Sequence, residues 1–226
     1  MNPEKIRELI SKNFESITRE IDTDNDGKLG KLAYLSLTSK PEAIFRDEIG
    51  WMLQKKLHEI DKRYVVAREF KRYDLAILKL SENQDKQEPE ELLHLIELKV
   101  VAAGIFRDNL KGAEEFAQLI DDDFEKRKED KDIDETKITS LAITYGVNNT
   151  IKNNQYAFVK YAGRHNRFFK KGYNKSKEGD IIRNRIDELL KKKSTSDYKI
   201  EKLQIAESTK FIGVGVNMYA YLINQT

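Results

Sequence analysis

Residues 68–101 read REFKRYDLAILKL (68–80), SENQDKQEPE (81–90) and ELLHLIELKVV (91–101). Two apolar runs of strand length flank a polar insert that contains Pro89 and has no periodicity, as a surface loop does. Both runs carry charge where a buried strand should have none. Asp74 stands at the entrance of the first, before Leu75, Ala76, Ile77 and Leu78. Glu97 and Lys99 lie inside the second, among Ile96, Leu98, Val100 and Val101. Side chains of a strand alternate between faces, so Glu97 and Lys99 share one face, with Leu93 and Leu95 earlier on it. His94, Ile96, Leu98 and Val100 take the other. A strand apolar on both faces is a central strand covered on both sides. A carboxylate there must be paired, protonated or bound to a metal, because an isolated buried charge is very unfavourable. Two readings follow: a Glu97–Lys99 pair closing a strand, or a divalent-metal site with Asp74 and Glu97 as oxygen ligands and Lys99 facing the chemistry.

The surroundings of this stretch are regular. Ile6, Leu9, Ile10, Phe14, Ile17 and Ile21 recur at helical spacing near the N-terminus. After Pro41 a second helix is expected over 42–61, with Phe45, Ile49, Met52, Leu53, Leu57 and Ile60 as its apolar stripe. Tyr64 to Ala67 starts a strand. A helix follows over 105–128, then a strand over 138–145 (ITSLAITY), a helix over 180–192 and two strand-like runs within 200–224. The expected fold is a mixed α/β (α+β) domain, a mixed sheet with helices packed on it. It is read as a single domain over 1–226, with a helical N-terminal extension (1–40), a core (42–145) and a C-terminal part (156–226) holding a basic segment, a helix and strands.

Asp74 followed by Glu97-Leu98-Lys99 on the next apolar strand, with a helix ahead of both, resembles the PD-(D/E)xK nuclease superfamily, the restriction-endonuclease-like group that includes type II restriction enzymes and DNA-repair nucleases. The resemblance covers roughly residues 42–145, and Tyr73 stands where the family pattern has proline. It implies a restriction-endonuclease-like core with the order helix, strand, strand with Asp, strand with Glu-x-Lys, helix, strand. It implies a metal-dependent endonuclease that hydrolyses DNA phosphodiester bonds, related to restriction or defence, using Mg²⁺ or Mn²⁺ in its place. Asp74 and Glu97 would hold the metal, and Lys99 would orient or deprotonate the attacking water. A glutamate of the first core helix often joins such sites; Glu48 is the candidate ligand, with Glu59 behind it. Members often act as dimers, so a homodimer is an implied partner arrangement. The alternative is a non-catalytic nucleic-acid-binding or regulatory protein on the same fold, its acids structural.

Composition narrows the remainder. The 226 residues are 39% hydrophobic and 35% charged, with net charge +2. No apolar run approaches the roughly 20 residues of a membrane helix. MNPEKIRELISKNF carries acids and no apolar stretch, so no signal peptide is expected. The absence of cysteine excludes thiol catalysis and disulfides and suits a cytoplasmic protein. Residues 156–177 hold seven Lys or Arg, six aromatics and no acid. Basic side chains neutralise phosphates and aromatics stack on bases, which makes DNA the expected partner and Lys160, Arg164, Arg167, Lys170 and Lys171 the expected contacts. Its glycines and asparagines suggest loops. The acidic run 121–135 (DDDFEKRKEDKDIDE) reads as a solvated helix end. Asp22, Asp24, Asp26 and Gly27 resemble half an EF-hand loop, but Ala33 stands where the closing glutamate should be, so no tight calcium binding is expected.

Overall fold

The computed structural model describes residues 1–21, 30–82, 88–108, 110–128, 137–169, 178–193, 197–203 and 209–225. The Asp22–Asp26 motif, Lys170 and Lys171 lie outside them. The helices are α1 (Pro3–Ile21), α2 (Lys31–Thr38), α3 (Glu42–Ile60), α4 (Ile105–Asp108), α5 (Leu110–Lys128), α6 (Ala162–Phe169) and α7 (Glu178–Lys193). The strands are β1 (Tyr64–Phe70), β2 (Tyr73–Leu80), β3 (Pro89–Ala102), β4 (Ile138–Val147), β5 (Tyr198–Leu203), β6 (Thr209–Phe211) and β7 (Val214–Gln225). They form one seven-stranded sheet in the order β1-β2-β3-β4-β7-β5, with β6 paired to β7. Among the described residues only β3 and β4 pair in parallel. A parallel pair needs a long crossover, and α4 and α5 supply it. The protein is therefore a mixed α/β fold, a mixed sheet flanked by helices.

Alternation along the strands builds a core on each face. Leu75, Ile77, Ile96, Leu98, Leu141 and Ile143 pack with Ile6, Ile10, Phe14 and Ile17 of α1 and Phe45, Ile49, Leu53 and Leu57 of α3. Ala76, Leu78, Leu95, Ile138 and Ala142 pack with Phe116, Ile120 and Phe124 of α5 and Ile182, Ile186 and Leu189 of α7. Burying each large apolar side chain contributes about 1.5–3 kcal/mol, and the central strands are buried on both sides. A third cluster joins Ala33 and Leu37 of α2 to Tyr145, Val147, Val214 and Val216 near the ends of β4 and β7. Among the described residues no helix is long and apolar enough to cross a membrane.

Four expectations change. The register of β2 against β3 shifts between Ile77 (opposite His94) and Leu78 (opposite Leu92), a bulge at Leu93. Leu93 therefore joins the α3-side core while Leu95 stays on the α5 side, so the face shared by Leu95, Glu97 and Lys99 does not include Leu93. Pro89 is already in β3, opposite Leu80, at the first position of the strand, where a missing N–H is tolerated. The basic segment contains a helix, α6, rather than loop alone. Ile60 and Leu119 sit at helical apolar spacing yet are 53% and 50% exposed, because the periodic stripe is wider than the face the sheet can cover.

Candidate active site

The site forms where β3 outruns β2. The β2–β3 ladder ends at Leu75 opposite Ile96, and Asp74 and Glu97 are the next residues of the two strands. β2 begins at Tyr73, so beyond that point the edge of β3 has lost its neighbour. Carboxylates take over two of its free backbone N–H groups. Leu98 N–H donates to Asp74 Oδ2 at 2.8 Å, and Val100 N–H donates to Glu42 Oε2 across a longer 3.4 Å. The fold thus uses two acids as edge acceptors, because a buried strand edge without partners is unfavourable.

Asp74, Glu97 and Lys99 come together on the face covered by α5. Glu97 is 8% exposed. Burial first, then the charge of Asp123 and a hydrogen bond to Asp74, push its carboxyl up to about 8. A carboxyl raised this far favours its protonated form near neutral pH, in which its O–H can donate to Asp74. Lys99 Nζ lies 3.8 Å from Glu97 Oε2 and 2.6 Å from Asp123 Oδ2. Burial works against the ammonium, but the hydrogen bond and charge of Asp123 outweigh it, so the Lys99 pKa is raised. Lys99 is accordingly held as an ammonium in this arrangement. Arg46 of α3 holds Glu69 Oε1 at 2.9 Å and approaches Asp74 Oδ1 at 3.7 Å. Glu69 is thereby an exposed hairpin acid tied to Arg46. The hairpin itself is tight: Glu69, Lys71 and Arg72 have φ of 54°, 48° and 75°, values that non-glycine residues rarely adopt.

Glu48 does not join this group. It pairs with Lys31 of α2 at 2.5 Å. Glu42 stands at the site instead, exposed at the start of α3, its charge coupled to Lys99, Asp74 and Asp123. The two glutamates are six residues apart, about 9 Å along the axis and roughly 240° around it, so one helix cannot aim both at one point. Glu59 is exposed far along the same helix. Asp123 is the other member that sequence reasoning missed. The DDD triplet is no solvated helix end: Asp121 and Asp123 are 7% and 8% exposed. Asp121 accepts the Tyr198 hydroxyl at 2.7 Å, and Asp123 pairs with Lys99. The signal was present in the spacing, since Phe116, Ile120 and Phe124 fix a buried stripe whose borders include positions 121 and 123.

The group holds four carboxyls (Glu42, Asp74, Glu97, Asp123) against two cations (Lys99, Arg46). Its donors are all oxygens, the kind a hard divalent cation takes. Burial and the neighbouring acids raise the Glu97 pKa, so added positive charge is favourable here. Among the described residues, no three His, Asp or Glu side chains already surround a single point as ligands would. Lys99 and Arg46 draw Asp123 and Asp74 toward themselves. The donor chemistry fits Mg²⁺ at Asp74 and Glu97, with Glu42 as the helix-borne acid.

A cleft of about 300 Å³ opens beside Glu42 and Val100 and reaches Arg164 and His165 of α6. The basic segment therefore borders the acidic group through Glu42. Arg164 and Arg167 are exposed on α6, three residues apart and so on one face. Lys160 is half-buried: its backbone N–H donates to the Leu37 carbonyl at 2.6 Å, and its Nζ lies 5.4 Å from the Tyr161 ring centre. No family model, curated protein or solved structure matches the chain.

Proposed function

We propose that the chain is a metal-dependent endonuclease of the restriction-endonuclease-like type that hydrolyses DNA phosphodiester bonds. The observation that carries this reading is the gathering of Asp74, Glu97 and Lys99 where β2 meets β3, with Lys99 Nζ 3.8 Å from Glu97 Oε2 and Asp74 close enough to raise the Glu97 pKa. The element order supports it: α3, β1, β2 with Asp74, β3 with Glu97-Leu98-Lys99, α5, then β4. Glu42 would take the role of the helix glutamate.

Asp74 and Glu97 would hold Mg²⁺ (or Mn²⁺), which when bound activates water and offsets charge on the phosphate. Loss of the Glu97 proton would provide the negative charge that binding needs. Lys99 would stay protonated and stabilise charge developing on the phosphate oxygens, a fixed electrostatic role. Asp123 would hold Lys99 in position. Arg164 and Arg167 would take backbone phosphates on the far side of Glu42. A second reading, a DNA-binding protein with structural acids, is favoured by one observation. The Lys99–Asp123 distance of 2.6 Å lets the charges satisfy one another without a metal.

Plasmid cleavage with Mg²⁺, Mn²⁺ or EDTA separates the two. Wild type is expected to cut only with metal. Asp74→Ala and Glu97→Ala are each expected to lower the rate by at least about a thousandfold, the scale on which removing one electrostatic group acts. No cutting by wild type, together with no shift in melting temperature on adding Mg²⁺, would leave the structural reading in place.

A further inference from the structure

The β1–β2 hairpin closes on two residues, Lys71 and Arg72, between the paired Phe70 and Tyr73. Their φ angles of 48° and 75° are both positive, as a type I′ turn requires. Asn-Gly or Gly-Gly meets that requirement with little strain, whereas long side chains rarely adopt it. Glu69, at φ 54°, makes three such residues in a span of four, none of them glycine, asparagine or aspartate. A strained backbone persists only where the surrounding fold enforces it, and the argument runs from such an outlier toward function. The two turn residues are both cations. Lys71 and Arg72 are exposed, and neither has a hydrogen-bond or ion-pair partner among the described residues. Other cations around the hairpin are engaged: Arg68 Nη1 lies 3.0 Å from Asp47 Oδ2, and Arg46 Nη1 lies 2.9 Å from Glu69 Oε1.

The place of the turn matters as much as its charge. Arg72 stands two residues before Asp74, and β2 is antiparallel to β3, so the turn lies at the end of the sheet toward which β3 runs past Glu97. β4 is parallel to β3, and α6 lies against the end of β4, where the Tyr145 and His165 ring centres are 6.0 Å apart. The strand order β1-β2-β3-β4 therefore puts the turn on one flank of the acidic group and Arg164 and Arg167 on the other.

We propose that the Lys71-Arg72 turn is a phosphate-binding element that grips the DNA backbone on the Asp74 side of the acidic group. An ammonium and a guanidinium fork are the groups that meet phosphate oxygens. A two-residue turn fixes where both side chains begin, so less freedom is lost on binding than from a long loop. The carboxyls of the group repel a phosphate backbone, and cations on both flanks offset that repulsion while leaving the carboxyls open to a metal. The inference rests on the reading of DNA as substrate, but not on cleavage.

The test is fluorescence anisotropy of the full chain with a labelled duplex DNA in EDTA, where no metal-dependent cutting occurs, over a range of salt and beside melting curves. Lys71→Asn combined with Arg72→Gly gives the turn its least strained sequence and removes both charges. It is expected to melt about 2 °C or more above wild type. It is also expected to bind the duplex at least about tenfold more weakly and to flatten the salt dependence by about two units of slope, one per lost contact. A turn that serves only the fold would give the higher melting temperature with unchanged binding and slope, and that outcome overturns the proposal. Lys71→Gln combined with Arg72→Gln keeps long side chains and the strain but removes the charge. It should lose binding to the same extent with no gain in melting temperature, which decides the matter even if the first double variant folds poorly. Weakened binding in the first double variant and not in the second would assign the effect to turn shape and overturn the phosphate contacts. If wild type binds no DNA, the DNA reading falls and this inference with it. If wild type cuts DNA and both double variants bind it as wild type does, the turn alone is ruled out. If wild type cuts nothing with Mg²⁺ while both variants lose binding, the endonuclease reading falls and the phosphate-binding turn stands.

Discussion

β3 buries polar side chains at two places only three residues apart, and it treats them in opposite ways. Toward its start, His94 is fully buried on the α3 side. The Thr139 hydroxyl donates to Asn224 Oδ1 at 2.6 Å, so the 2.9 Å contact with His94 is a donation from Nε2–H to Thr139. No carboxylate or ammonium takes part in these two hydrogen bonds. About 10 Å further on, across the other face, Glu97 meets Asp74, Lys99 and Asp123. There the carboxyl keeps its proton up to about pH 8. The difference teaches how to tell a structural polar group from a functional candidate inside one sheet. Hydrogen bonds among hydroxyl, amide and imidazole groups add specificity to the core. A group with more acids than cations stays under electrostatic stress, and stress of that kind is what a metal or a phosphate relieves.

The comparison can be broken at its strongest link first. Lys99→Met removes the cation from three crowded acids and should destabilise the protein by about 3–5 kcal/mol in urea unfolding at pH 8, as expected for one partner lost from a buried pair. Lys99→Met combined with Asp123→Leu should recover most of that loss. If the double variant is no better than the single one, the two residues do not act as a pair.

Glu97 sets a pH signature next. Its folded pKa, about 8, lies above that of an unfolded glutamate, so the native state binds the extra proton between about pH 4.5 and 8. The stability it contributes is complete below that window and is lost as pH rises through it. The slope reaches about 1.4 kcal/mol per pH unit at most. Glu97→Gln should flatten the profile, and Mg²⁺ should stabilise wild type most near pH 8. A wild-type profile flat from pH 5 to 8 would remove the proton from the Asp74–Glu97 contact.

Thr139→Val tests the quiet end of the strand. It leaves the His94 and Asn224 hydrogen-bonding atoms short of a partner and should destabilise by about 1–3 kcal/mol. The loss should be independent of pH between 7 and 9 and of Mg²⁺, which chemical denaturation in both buffers would read. The smallest effect belongs to Glu48. Its pair with Lys31 is partly exposed, so Glu48→Ala should change stability by less than about 1 kcal/mol and leave cleavage untouched. Glu42→Ala, by contrast, should weaken the Mg²⁺ dependence, and a Glu48 variant that loses activity would reverse this assignment.

The order of helices and strands was legible in the amino-acid sequence because periodicity is local. The stripes of α1, α3 and α5 and the apolar runs of β2, β3 and β4 announce themselves within ten or so residues each. Asp74, Glu97 and Lys99 were legible for the same reason, as charges set into apolar strands. What the sequence left open depended on phase and on partners far along the chain. Which glutamate of α3 points at the sheet follows from where the helix starts: the apolar stripe suggested Glu48, but Glu48 packs against Lys31 and it is Glu42 that reaches Val100. Asp123 was hidden in a charge run, because burial of a charge is decided by whether Lys99 arrives from another element. The bulge at Leu93 was hidden because a one-residue insertion changes faces without changing composition. The cleft at His165 belongs wholly to tertiary structure. It exists only because α6, the end of β3 and the start of α3 meet, and no spacing within 156–177 could have placed a neutral imidazole beside Glu42.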